Sequence, residues 1–183
     1  MFHHAQTESK ENARQIVEQF AGNPKSILSL SADNFLFERK FPQARIVSCE
    51  LDPVVYKRGL KNKPNNVVYL NDNIFNLEPD YDFIWLDFCA NMYPTLINEV
   101  ISFMQKAIQY RPTISITFYL KQEISFSKFL YVYGAKTLDD FRFKVFPELI
   151  KLHTGYEVVD IYKYLSVGNS PMGVFTFKPI KTY

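Results

Sequence analysis

The sequence predicts a doubly wound α/β domain, with a mostly parallel sheet of about seven strands that closes in a C-terminal antiparallel β-hairpin. Three observations carry this expectation. Short apolar runs alternate with helical stretches, as the right-handed crossovers of a parallel sheet require. The last two apolar runs, 156–164 and 174–178, are joined by a connection at 168–173 that is too short for a crossover helix, so they pair antiparallel. Finally, 183 residues with 47% hydrophobic content fill the core of one domain, over 1–183, and leave no room for a second.

The elements follow in order. Residues 8–21 carry Ala13, Ile16, Val17 and Phe20 at helical spacing among charged residues, and Gly22-Asn23-Pro24 stops this entry helix. Ser26 to Leu30 reads as the first strand, followed by the polar turn Ser31-Ala32-Asp33-Asn34 and a helical stretch from Phe35 to Phe41. Arg45 to Cys49 forms a second strand ending in Glu50, and Asp52-Pro53 opens the next helix with a carboxylate cap and a first-turn proline. Val67 to Leu70 and Tyr81 to Leu86 give strands three and four, a periodic helix runs from about 93 to 108, and Thr113 to Phe118 is strand five. A helix over Phe141 to His153, stopped by Gly155, leads into the hairpin.

Composition narrows the class of function. No apolar run approaches the length needed to cross a bilayer and the N-terminus lacks an apolar signal core, so a soluble, cytoplasmic protein without a membrane partner is expected. The net charge of +2 permits nucleic acid without demanding it. Cys49 and Cys89 end strands that the expected order separates, so no disulfide is expected. His3, His4 and His153 are scattered, and no Cys/His spacing suggests a metal. The motifs of phosphate-loop enzymes, serine hydrolases and dinucleotide oxidoreductases are absent.

Polar segments stand at the carboxyl ends of the first four strands, where doubly wound sheets bind ligands. Ser29-Leu30-Ser31-Ala32-Asp33-Asn34-Phe35 spans the first, Glu50 ends the second, Asn71-Asp72-Asn73-Ile74 follows the third, and Asp87-Phe88-Cys89-Ala90-Asn91-Met92-Tyr93 follows the fourth. In this order of strands and landmarks, residues 24–179 resemble the class I S-adenosylmethionine-dependent methyltransferases, with their Rossmann-like sheet. The resemblance implies S-adenosylmethionine as cofactor and methyl transfer as the reaction. It implies that Glu50 accepts the ribose hydroxyl protons and that Asp72 and Ile74 hold the adenine. Ser31 and Asp33 would then face the methionine end, Asp87 would hold the acceptor or take its proton, and Asn91 or Tyr93 would orient it.

The sequence departs from the family pattern at two places. The turn after strand one has none of the usual glycines, which narrows the room for the methionine half. The segment after Asp87 lacks the paired prolines of nucleic-acid amine methyltransferases, so exocyclic base amines are not specifically indicated. Each landmark also has a structural reading: Glu50 as a solvated strand-end charge, Asn-Asp-Asn as a turn, Asp87 as a helix cap. Two functions therefore stand open, a methyltransferase or an inactive binding module of the same fold whose cleft is filled by side chains such as Phe35. The acceptor stays open among nucleic acid, a small molecule and a protein; nucleic acid comes first because residues 119–133 interleave Lys121 and Lys128 with Phe126, Phe129, Tyr131 and Tyr133, although the same stretch also reads as packing. Lys57, Arg58, Lys61 and Lys63 read as a solvated helix face.

Overall fold

The computed structural model describes residues 8–121, 130, 133–166 and 169–181. Among these residues the strands are β1 (Ser26–Leu30), β2 (Arg45–Cys49), β3 (Val67–Leu70), β4 (Phe83–Asn91), β5 (Thr113–Tyr119), β6 (Tyr156–Ser166) and β7 (Ser170–Pro179), forming one sheet in the order β3-β2-β1-β4-β5-β7-β6. The first five are parallel, and β7 runs antiparallel between β5 and β6. Strand order reverses beside β1, whose neighbours are β2 and β4. That places the ends of β1 to β4 around one crevice. It also sets β1 between the strands of the two cysteines, and Cys49 is a buried free thiol.

The sheet is covered on both faces because its strands alternate between two apolar sets. One face, with Leu28, Ile84, Leu86, Ile114 and Ile116, packs under α3 (Pro94–Ala107) and a later helix, α5 (Phe146–Thr154), through Val100, Phe103, Phe146 and Ile150. The other face, with Ile27, Phe83 and Val174, packs under α1 (Glu8–Ala21) through Ala13 and Val17. Helix α1 ends at Gly22, whose φ of 63° suits glycine and turns the chain into β1. Helix α2 (Pro53–Gly59) starts as the sequence requires, with Asp52 accepting from the Val54 and Val55 amides. Among the described residues no helix is long and apolar enough to cross a membrane.

The structure differs from the sequence reading in four stretches. Residues 35–41 form turns and a 3-10 turn at Glu38–Lys40, not a continuous helix. Phe35 and Phe37 are both buried, against Tyr69 at 4.8 Å and Trp85 at 4.4 Å between ring centroids. Residues two apart point to opposite sides of a helix, so insertion of both rings into the core rules a helix out. Strand β4 runs past Leu86 to Asn91, with a register shift against β5 between Asp87 and Asn91. The helix expected over 141–153 begins earlier, with a short α4 (Leu138–Asp140), and continues as a π-helical turn at Phe141–Val145 and then α5, where Pro147 lies in the first turn. The hairpin link is shorter than 168–173, since Ser166 already pairs with Ser170.

Candidate functional site

A cavity of about 380 Å3 opens at the carboxyl ends of β1 to β4, within the size range of small-molecule sites. Five of the eight residues singled out in the sequence line it: Ser31, Glu50, Asp72, Ile74 and Asp87. They converge because each ends or follows a parallel strand at the same edge of the sheet. Leu51, Phe75 and Phe88 supply apolar wall between the carboxylates. Phe35 is not among the lining residues; it lies in the core on the α1 face.

The local hydrogen bonds fix each carboxylate. The Glu50 Oε1 atom accepts from the Asp52 amide at 2.8 Å, and the Glu50 carbonyl accepts from Asn71 Nδ2 at 2.7 Å, which ties the ends of β2 and β3. Burial pushes the Glu50 carboxyl above its ordinary range, with the neighbouring Asp52 and Asp33 charges adding to the shift and the Asp52 amide opposing it. Asp72 Oδ1 accepts from the Asn73 amide at 2.7 Å and Asn76 Nδ2 at 2.9 Å. The Asn-Asp-Asn segment is thus a turn, with Asn73 capping the short helix Ile74–Asn76, and also a cavity wall.

Asp87 does not cap α3. Tyr93 stands at that N-cap without a side-chain bond, while Asp87 lies on the bulged end of β4 and pairs with Lys10 of α1 at 3.7 Å. Asp87 Oδ1 is buried and has no hydrogen-bond partner among the described residues. A buried acceptor in that state favours a ligand donor beside it.

The other three sequence candidates lie off the cavity. Asp33 faces α2, where it pairs with Arg58 at 3.0 Å. Asn91 is buried at the end of β4, and Tyr93 is exposed at the start of α3. Of the stretch 119–133, residues 122–129, 131 and 132 lie outside the described residues, and Lys121 sits 5.6 Å from the centre of the Tyr119 ring.

Sequence reasoning missed Lys10 and Glu38. Lys10, from the entry helix, lines the main cavity and a smaller hollow of about 30 Å3 next to it. Glu38 lines that hollow and is 2% exposed. Burial pushes its carboxyl up to about 7, with the Asp87 charge in the same direction; the Ser29 hydroxyl and Arg14 act against it. The signal that could have found Glu38 is the run of Ser29, Ser31 and Ser48 in otherwise apolar strands, because buried hydroxyls require partners.

These residues suit an adenosine-bearing ligand. Glu50 and Asp72 offer acceptors to hydroxyl and amino donors, and Ile74, Leu51 and Phe75 offer apolar contact to a flat ring.

No protein-family model and no curated protein matches the sequence. Solved structures do match by fold. The 1,6-didemethyltoxoflavin-N1-methyltransferase of Burkholderia thailandensis, with bound 1,6-didemethyltoxoflavin and S-adenosylhomocysteine, is similar with a TM-score of 0.64 at 12% identity, over 94% of this chain and 79% of that one. The N-methyltransferase NodS of Bradyrhizobium japonicum matches with a TM-score of 0.62 at 10% identity, over 96% of this chain and 99% of that one. The magnesium protoporphyrin IX methyltransferase of Synechocystis, with bound S-adenosylhomocysteine, matches with a TM-score of 0.58 at 10% identity, over 96% and 89%. With the strand order and the hairpin already described, the chain has the fold of the class I S-adenosylmethionine-dependent methyltransferases.

Proposed function

We propose that the chain binds S-adenosylmethionine in this cavity and transfers its methyl group to an acceptor beside Asp87. One observation carries the reading: Ser31, Glu50, Asp72, Ile74 and Asp87, drawn from four strand ends, line a single cavity. Solved relatives in fold hold S-adenosylhomocysteine, the product left by that cofactor, which supports the same ligand here.

When bound, the cofactor supplies a methyl group on a sulfonium; the chain binds, orients and excludes water. Glu50, fixed through Oε1 by the Asp52 amide, keeps Oε2 to accept from the ribose. Asp72, fixed through Oδ1, keeps Oδ2 for the adenine amino group, and Ile74 packs on the ring. Asp87 accepts a proton or hydrogen bond of the acceptor at Oδ1, while Lys10 holds its other oxygen.

For the acceptor we propose single-stranded nucleic acid, on the strength of the aromatic and basic sequence over 119–133. Transfer of labelled methyl from S-adenosylmethionine to oligonucleotides tests both steps. Label in the oligonucleotide that is lost in Asp87→Ala supports the reading. Label only on a small molecule or a protein removes nucleic acid, and no transfer to any acceptor removes methyl transfer.

A further inference from the structure

A buried chain of hydroxyls connects Glu38 to the cavity wall. Ser29 Oγ donates to Glu38 Oε1 at 2.7 Å, Ser48 Oγ lies 3.1 Å from Ser29 Oγ, and Ser31 Oγ is hydrogen-bonded to Ser48 Oγ. Ser29 and Ser48 are direct register partners on β1 and β2, so the two strands hold the chain in place. All four residues are buried, and Ser31 lines the main cavity.

The count of hydrogens sets the direction of this chain. A hydroxyl carries one hydrogen, so while Ser29 donates to Glu38 it cannot also donate to Ser48; the Ser48 hydrogen then serves the Ser29 carbonyl at 3.4 Å, and the Ser31 hydrogen serves Ser48. With its hydrogen turned to Ser48, the Ser31 oxygen has only lone pairs to offer the cavity.

We propose that Glu38 is a positioning residue: acting through Ser29 and Ser48, it makes the Ser31 hydroxyl oxygen an acceptor for a cationic nitrogen of the ligand. The proposal rests on the cofactor reading above, since S-adenosylmethionine carries such a nitrogen at its amino-acid end. The charge of Glu38 decides the outcome. A protonated Glu38 donates to Ser29, which frees the Ser29 hydrogen for Ser48 and the Ser48 hydrogen for Ser31, and Ser31 becomes a donor that disfavours the cation. Glu38 changes state near neutral pH, because burial holds its carboxyl at about 7.

The groups that face Glu38 come from several elements. Ser29 and Asp87 approach from β1 and β4, and Lys10 and Arg14 approach from α1. Arg14 is held by Glu11 at 2.9 Å and Lys10 is held by Asp87. Tyr69 of β3 feels the Glu38 charge too, though burial is the main reason its phenol is pushed up. Their charges set the midpoint; the serine chain carries the effect to the ligand.

The test compares two probes by calorimetry on the full chain, from about pH 6 to about pH 8. S-adenosylhomocysteine has the cationic nitrogen, and methylthioadenosine lacks the amino-acid end. The homocysteine adduct should bind about tenfold more tightly at the upper pH, as linkage to one proton allows, while methylthioadenosine stays flat. Glu38→Gln and Ser29→Ala should each abolish the difference; Ser29→Ala leaves the carboxylate in place but cuts the chain. Equal pH dependence for both probes, or its persistence in Glu38→Gln, overturns the proposal with the cofactor reading intact. Absence of binding by either probe overturns the cofactor reading and this one with it. A carboxylic-acid infrared band that titrates near neutral and vanishes in Glu38→Gln supports the assigned protonation change, and its absence at the lower pH contradicts it.

Discussion

Lys10 Nζ stands 3.7 Å from Asp87 Oδ2, with both side chains at least 85% buried, so the entry helix is tied to the cavity end of β4. This pair joins a helix packed on one face of the sheet to a strand end that faces the proposed ligand. Removing Lys10 leaves a buried carboxylate without its cation. Lys10→Ala should cost about 1–3 kcal/mol of stability, measured by urea unfolding. A double-mutant cycle with Asp87→Asn should show coupling above about 0.5 kcal/mol; additive losses would mean that the pair contributes nothing.

Glu38 gives the protein a definite pH profile. Its folded carboxyl titrates at about 7 against an ordinary value of 4.5, so the folded state holds an extra proton between those values. Stability should therefore be greatest below about pH 4.5 with respect to this group, and should fall as pH rises through 7, by on the order of 3 kcal/mol. Glu50 and Glu18 are shifted in the same direction, so the informative quantity is wild type minus Glu38→Gln. Thermal unfolding across that window should show a slope in this difference; a flat difference would place Glu38 in water.

Gly59 lets the end of α2 pack against Tyr69 of β3. A Cβ at this position would lie 2.5 Å from Tyr69 Cε1, inside contact distance. Gly59→Ala should therefore destabilise the fold by about 1–3 kcal/mol despite the higher helix propensity of alanine. Denaturant unfolding reads this directly, and a stabilised variant would show that Tyr69 moves aside at no cost.

Glu50 separates binding from folding. Its side chain is only half-buried and its carboxylate bonds the neighbouring turn at Leu51 and Asp52. Glu50→Ala should weaken S-adenosylhomocysteine by more than about tenfold, equal to about 1.4 kcal/mol, while the melting temperature of the unliganded protein changes little. Equal affinity in the variant would remove Glu50 from the ligand.

Much of the sheet was legible from local pattern. The bounds of β1, β2 and β3 follow from apolar runs ended by turn residues, and the start of α2 from Asp52-Pro53. Ser31, Glu50, Asp72, Ile74 and Asp87 could be placed together because parallel strands share one carboxyl edge. Other contacts were hidden because they are long-range. Lys10 reads as an ordinary charge on an amphipathic helix until the start of α1 is set beside Asp87 of β4, and Glu38 reads as solvated until Phe35 and Phe37 draw its segment into the core. Asp33 was assigned by its place in the turn, yet Arg58, on the neighbouring helix, turns it away from the cavity.

The most direct measurement is a calorimetric titration of the purified full chain with S-adenosylmethionine. One-site, saturable binding that is lost on combining Glu50→Ala with Asp72→Ala is the predicted result. A wild-type protein that takes up no S-adenosylmethionine or S-adenosylhomocysteine, even at millimolar concentration, would contradict the account.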